Sequence, residues 1–369
     1  MTEPAAPARV STLELFFDLV FVFTVTQATA ALADDLSVRG LVRVLLMVAI
    51  IWWMYGGYAW LTNAIAPDSR VRRTLILVGM GGFLTIALAI PDAFGDAGWA
   101  FGVGYFVVNA VHTGLFLTVS RAMRVLGVLN LITATLVLAG GFAPGVWRYV
   151  LWGAAMALLI ASPRLNPIHE FTISAAHFVE RHGLVVIIAL GESLIAIGVG
   201  AAGLAVDWRL IGAAVLGLTV SYLMWWVYFE GGDGGAEHAL EAVPMRERAW
   251  VAIVSYGYAH YVLLIGIVAV AAGIKKAVGH VDGHLTLGQA LLLGGGVAAY
   301  LLGDVWFRRR LRIGVARFRL VAAIVALATV PIGMWLAAAQ LLALIALLFA
   351  MLTTEHRAVG SDLGAKAHP

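Results

Sequence analysis

The chain has 369 residues, 62% apolar and only 12% charged, with a mean hydropathy of +0.94. That apolar share lies far above the ~45–50% of soluble domains, which excludes a water-soluble enzyme or nucleic-acid-binding module. The absence of cysteine excludes disulfide frameworks and thiolate metal or redox sites, and the modest net charge of +3 matters less than its distribution.

Apolar runs near the ~20 residues that cross a ~30 Å hydrocarbon core predict twelve helices. They lie at 13–33, 41–63, 74–91, 98–119, 125–142, 146–161, 183–203, 209–229, 249–272, 286–307, 318–335 and 337–353. The predicted class is an all-α polytopic membrane protein of about 12 transmembrane helices. Residues 1–12 are expected to form a cytoplasmic tail, 13–161 a first six-helix repeat, 162–182 a cytoplasmic linker or interfacial helix, 183–353 a second six-helix repeat and 354–369 a second cytoplasmic tail. Pro331 to Ala339 leave only a tight turn between the last two spans; if these merge, the count falls to eleven. Ala31-Leu32-Ala33 has the small residues of a signal-cleavage site, but Asp18 interrupts the apolar core and Arg9 is the lone leading cation. The first span is read as retained.

That span, "LELFFDLVFVFTVTQ", carries two acids. Ser11 followed three residues later by Glu14 is a capping box, and Glu14 also complements the positive end of the helix. Asp18 lies five residues beyond Leu13, about 7–8 Å along the axis at ~1.5 Å per residue. Burying an acid at a helix centre costs about 2.5–3.5 kcal/mol on insertion scales, and its short stem cannot snorkel. Asp18 must therefore be paired, protonated, or face protein or water. It is either a lock between helices or part of a permeation or proton path. Helical spacing places Glu14, Asp18, Phe21 and Val25 on one stripe, and Gln27 points elsewhere.

Further along, the fourth span holds Asn109 and His112. The linker "NPIHEFTISAAHFVERHG" collects His169, Glu170, His177, Glu180, Arg181 and His182. It contains neither H-E-x-x-H nor H-x-x-E-H, so an interfacial elbow is expected and no metal, although His177 can share a helix face with Glu180 or Arg181. In span seven, "IIALGESLIAIG" puts Glu192 near mid-membrane beside Gly191, Ser193 and Ala196, a functional-site hypothesis by default. "EGGDGGAEHALE", Glu230 to Glu241, reads as a flexible acidic loop. His260 stands in span nine. Asp304, near the end of span ten, is expected to pair with Arg308 at i,i+4. The run Arg308, Arg309, Arg310, Arg312, Arg317 and Arg319 reads as a basic loop facing anionic lipid.

Placing the N-terminus in the cytoplasm puts all Lys and Arg on the inner side except Arg39, Arg43, Arg148, Arg209, Lys275 and Lys276. This asymmetry is that of cytoplasmic loops, and both termini are expected inside. The halves also echo each other. Trp52, Trp53 and Tyr55 recur as Trp225, Trp226 and Tyr228 at one constant offset, and Asp18 falls nearly opposite Glu192. Two parallel six-helix repeats are therefore expected, with Asp18 and Glu192 facing each other.

At "LELFFDLVFVF" and "HFVERHGLVVIIALGESLIAIG" the chain resembles the bacterial low temperature requirement A family over roughly 9–355, with Glu14, Asp18, Glu180, Arg181, His182, Gly191 and Glu192 at the matching positions. The resemblance implies a polytopic bacterial inner-membrane protein named for a cold-growth phenotype, and no settled activity. A weaker similarity is to potassium channels built from six-helix repeats, whose first helix carries Phe-Ser-Asp; Phe16-Phe17-Asp18 here lacks the serine. No nucleotide-binding or hydrolase motif is present. The expectation is a non-enzymatic transporter of a small cation, a proton or a proton-coupled solute, without cofactor, using Asp18 and Glu192 with His112 and His260 as relay partners. Membrane lipids are the expected surroundings, and the oligomeric state is left open. The alternative is a non-transporting cold or lipid sensor or partner subunit.

Overall fold

Helix-capping chemistry explains where many of the elements begin. In the computed structural model, which describes residues 10–64, 69–117, 123–165, 173–230, 233–280, 283–314 and 316–366, every regular element is helical. The readings that rest on Arg9, Arg121, His169 and Glu170, and on the side chains of Arg124 and Lys366, lie outside the described residues. Ser11 and Glu14 form the expected box at the start of α1 (Thr12–Asp34): the Ser11 N–H and hydroxyl each donate to Glu14 Oε2 at 2.8 Å. Ser69 caps α3 (Arg70–Ala89), Asp207 caps α8 (Trp208–Phe229), and a Thr286–Gln289 box opens α12 (Leu287–Leu311). Each cap satisfies amides that the first turn leaves without partners.

The other elements are α2 (Val38–Ala64), α4 (Gly98–Leu117), α5 (Met123–Phe142), α6 (Val146–Leu165), α7 (Ala175–Ala201), α9 (Asp233–Glu241) and α10 (Met245–Ala252). A π-helical segment (Ile253–Ala259) leads into α11 (His260–Gly279), and α13 (Arg317–Ala328), α14 (Val330–Trp335) and α15 (Ala337–Lys366) close the chain. Among the described residues, eleven helical stretches are long and apolar enough to cross a membrane, and Leu126–Phe142 is a shorter apolar one. This is a multi-pass all-α membrane protein. The last two spans are separate: Leu336 is extended (φ −152°, ψ 122°), and the Ala337 N–H donates to the Gly283 carbonyl, stitching the turn down.

One expectation about loops is corrected. The acidic stretch before α10 is not wholly loop, because Asp233–Glu241 is helical. Within 162–182, read as a linker or interfacial helix, α6 continues to Leu165 and α7 starts at Ala175, eight residues before Gly183, running without a break into the seventh span. Polar residues there lower the average hydropathy while lying on a helix.

Contacts divide the chain into two units. The first comprises 1–31, 38–188 and 233–258; the second comprises 32–37, 189–232 and 259–369. Neither coincides with the predicted halves. The two WW-x-Y stretches also differ in environment, with Trp52 3% exposed and Trp225 38%, so the fold does not itself establish a repeat.

In the first unit α4 packs on α3 and α5, and α6 on α5 and α2. Close backbone approach depends on glycine: a Cβ at Gly104 would lie 2.8 Å from the Gly82 carbonyl oxygen. Arg148, assigned by charge to an outer loop, is buried and donates to the carbonyls of Ala93, Gly95, Gly140 and Gly141 at 2.8–3.1 Å. In the second unit α11 packs along α12, α13 on α12 and α15, and α15 on α8. There a Cβ at Gly266 would fall 2.7 Å from the Gly296 oxygen and 2.5 Å from the Tyr300 nitrogen. Small residues at such seams let helices gain dispersion contacts that lipid cannot displace.

Gly266→Val is expected to cost about 1–3 kcal/mol by overpacking, measured as a lowered melting temperature in detergent. Gly212→Ala, whose Cβ meets nothing within 4 Å, is expected to be neutral or to stabilise by up to about 1 kcal/mol.

Candidate functional site

Asp18 does have a partner, from a helix 163 residues away. The stripe of α1 that carries Glu14, Asp18, Phe21 and Val25 is buried throughout, as its spacing predicts. Against it α7 places Arg181, 1% exposed. Arg181 Nη2 donates to Asp18 Oδ1 at 3.2 Å, Nη1 donates to Glu14 Oε1 at 2.7 Å, and Nη1 also reaches the Thr62 hydroxyl of α2. Its guanidinium carbon lies 5.5 Å from the Phe17 ring centroid and 5.7 Å from that of Tyr55. Arginine suits this place because one planar fork serves two carboxylates and stacks on aromatic rings.

One turn earlier on α7, His177 Nε2 meets the same Glu14 Oε1 at 3.1 Å. The other ring nitrogen, Nδ1, is 3.3 Å from Asn63 Nδ2. The Ser174 N–H donates to Asn63 Oδ1 at 3.1 Å, and Asn63 Nδ2 also donates to the Ser174 carbonyl. That pair of bonds turns the amide NH2 toward His177, so Nδ1 accepts and Nε2 carries the hydrogen given to Glu14. The network assigns His177 the neutral tautomer.

The charge count is then unequal. Two carboxylates face one guanidinium, and Asp18, fully buried at 0% exposure, has an Oδ2 without a hydrogen-bond partner. The Tyr55 hydroxyl lies beside the same carboxylate.

The second unit holds a contrasting cluster. Asp304 pairs with Arg308 at 3.1 Å as the i,i+4 spacing predicts, and Arg319 bridges Asp304 (2.5 Å) and Glu355 (2.8 Å). Arg308 and Arg319 also donate to the Val227 carbonyl at the end of α8. Two acids meet two guanidinium groups here, and the charges cancel. This corrects part of the lipid-facing loop. Arg308 and Arg319 are buried, because Asp304 and Glu355 supply charges that lipid would have supplied otherwise; Arg309, Arg312 and Arg317 are exposed and Arg310 is half-buried.

The remaining predicted residues lie outside the first cluster's ion pairs. Glu180 is exposed and accepts from the Val10 N–H at 3.4 Å. His182 is buried, with Nδ1 2.8 Å from the Phe178 carbonyl, and it packs among Trp52, Tyr55 and Tyr256. Glu192 is buried in the second-unit part of α7, next to Gly191, where an added Cβ would meet open space. His260 is buried, 2.8 Å from the Tyr228 hydroxyl, and His112 Nε2 is 3.0 Å from the Gly57 carbonyl. Sequence reading did not place Thr62, Asn63 or Glu355 in any site. Arg181 and His177 did share a noted four-residue spacing, in a segment read as a linker or interfacial helix outside the spans. No cluster of three or more potential metal ligands occurs among the described residues.

Known proteins bear on these residues as follows. The family model described as bacterial low temperature requirement A protein (LtrA) matches residues 9–354, which includes every member of both ion clusters except Glu355. A protein of Rhizobium meliloti described only as uncharacterized is 28% identical over 314 residues, covering 80% of this chain and 76% of its own length. No solved structure matches. The chain belongs to the low temperature requirement A family.

Arg319→Met leaves two buried carboxylates with one cation, and is expected to cost about 3–5 kcal/mol, read as a lower melting temperature. Asp18→Asn removes the surplus charge of the first cluster, and its melting temperature is expected to equal or exceed that of the unmodified protein.

Proposed function

We propose that this member of the family transports a small cation or a solute coupled to protons, and that Asp18 takes up and releases the proton. The charge count around Arg181 carries the reading. Two carboxylates, one guanidinium and an imidazole held neutral by Asn63 lie out of reach of water, where an uncompensated charge costs several kcal/mol. A single proton balances them, and Asp18 Oδ2, the carboxylate oxygen without a hydrogen-bond partner, is where this reading puts it.

Proton uptake at Asp18 would weaken its grip on Arg181 Nη2, while Glu14 keeps Nη1. The same charge therefore biases how tightly α1 holds α7, and a proton can shift an equilibrium between two helix arrangements. Glu192 is proposed as a second exchanging carboxylate, supported by its burial in an apolar span. The excess of Lys and Arg on alternate loops supports a bacterial inner-membrane location with both termini cytoplasmic.

A second reading has its own support. Every charged member of the cluster is almost wholly buried, as expected of a lock in a non-transporting membrane factor. A cation-channel reading is weaker, since a guanidinium already occupies Asp18.

The test reconstitutes the protein in liposomes with a trapped pH dye and imposes pH and potassium-diffusion gradients. Proton movement is expected to fall at least tenfold in Asp18→Asn and to be partly kept in Asp18→Glu, with both variants melting normally. Infrared spectra over a pH titration should show a protonated carboxyl band that Asp18→Asn removes. If that band is missing and flux is unaltered by the substitution, the lock reading replaces the transport reading.

A further inference from the structure

One turn of the chain keeps an arginine where its backbone favours glycine. Arg312, which ends α12, lies in the left-handed region (φ 59°, ψ 40°), the sole residue other than glycine with positive φ among the described residues. The turn needs that geometry: the Arg312 N–H donates to the Arg308 and Arg309 carbonyls, and the Ile313 N–H donates to the Arg308 carbonyl at 3.0 Å. These bonds satisfy carbonyls that the last helical turn leaves without partners. In this conformation a side chain crowds the following carbonyl, and glycine avoids the crowding. Glycine does hold the other positive-φ positions, Gly145, Gly203 and Gly314. An outlier of this kind points to a use for the side chain.

The charge at this turn has no counterpart of its own. No acid occurs between Asp304 and Glu355, and those two are already paired with the buried Arg308 and Arg319. Arg309, Arg312 and Arg317 are exposed, and none has an ion pair among the described residues. The carbonyl end of α12 favours cations, but Arg308, Arg309 and Arg310 already fill its last turn, so the dipole does not call for a fourth at Arg312. The neighbouring surface is apolar. Leu302 and Trp306 lead to Arg309 at helical spacing on α12, and Ile324 and Val321 lead to Arg317 on α13; all are exposed. In a chain of membrane-spanning helices such stripes face hydrocarbon. An arginine at the end of each, with an indole one turn before Arg309, belongs at the depth of the headgroups.

We propose that Arg309, Arg312 and Arg317 form a site for the phosphate of one anionic phospholipid, whose acyl chains lie along the apolar stripes of α12 and α13. Guanidinium forks match phosphate oxygens, and α12 and α13, which pack on each other, carry the stripes. Diffuse attraction to a charged leaflet would not require an arginine at the position where glycine is less strained. The proposal does not depend on the proton chemistry at Asp18.

Native mass spectrometry of the full-length protein in an uncharged detergent, titrated with dioleoylphosphatidylglycerol, counts the lipids that remain bound. One saturable lipid is expected, with dioleoylphosphatidylcholine, whose choline neutralises the phosphate, binding at least roughly tenfold more weakly. Inorganic phosphate is expected not to displace the lipid, since it cannot use the apolar stripes. Combining Arg309→Gln, Arg312→Gln and Arg317→Gln is expected to weaken binding roughly a hundredfold. Arg70→Gln, at an exposed arginine that begins α3, is expected to leave it unchanged. Arg312→Gly is expected to act in two directions, with binding roughly fivefold weaker and a higher melting temperature without lipid. The proposal is overturned if the two lipids bind alike, if inorganic phosphate displaces phosphatidylglycerol, or if the triple variant binds it undiminished. It is equally overturned if Arg70→Gln weakens binding as much as the triple variant, or if Arg312→Gly melts lower. The lipid comparison uses the unmodified protein, so it decides even if a variant fails to fold.

Discussion

The interaction on which the first unit depends is the fork of Arg181 across two carboxylates of α1. Three helices meet there: α1 through Glu14 and Asp18, α2 through Thr62, and α7 through Arg181 itself. Removing any one of these charges from water costs several kcal/mol, and only close pairing offsets it. Each helix therefore reaches its favourable state only when the other two are in place. The aromatic packing of Phe17 and Phe21 on Tyr55 and Phe83 is built around that junction.

The chain buries its arginines in three ways. Arg148 uses only carbonyl oxygens at helix and turn ends, whose partial negative charge suits a cation. Arg308 and Arg319 share two acids and cancel them. Arg181 alone faces an excess of negative charge. Permanent balance is sufficient for holding helices together, as the second unit shows with α8, α12, α13 and α15. The charge imbalance at Arg181 is what sets the first cluster apart from the second.

Much of this was legible in the residue order. Mean hydropathy marked the spans, because an apolar run of membrane length has few other uses, and Ser11 with Glu14 announced their cap because the partners are three residues apart. The Asp304–Arg308 pair was legible for the same reason. The partner of Asp18 was not, since nothing local connects residues 18 and 181. Hydropathy also averages over all faces of a helix. His177, Glu180, Arg181 and His182 therefore made the first turns of α7 resemble an interfacial segment outside the span, although three of the four are buried. Glu355 lay beyond the expected end of the last span, and the π-helical segment has no residue pattern that announces it.

The hydrogen bonds of Asn63 have a consequence for where a proton can rest. Its amide is oriented by two bonds to Ser174, which stands at the threshold of α7. Were the amide to turn over, its oxygen would face His177 Nδ1, and the imidazole would then be able to hold hydrogens on both nitrogens. One side-chain torsion, anchored by the backbone of a single serine, thus decides whether His177 Nδ1 meets a donor or an acceptor.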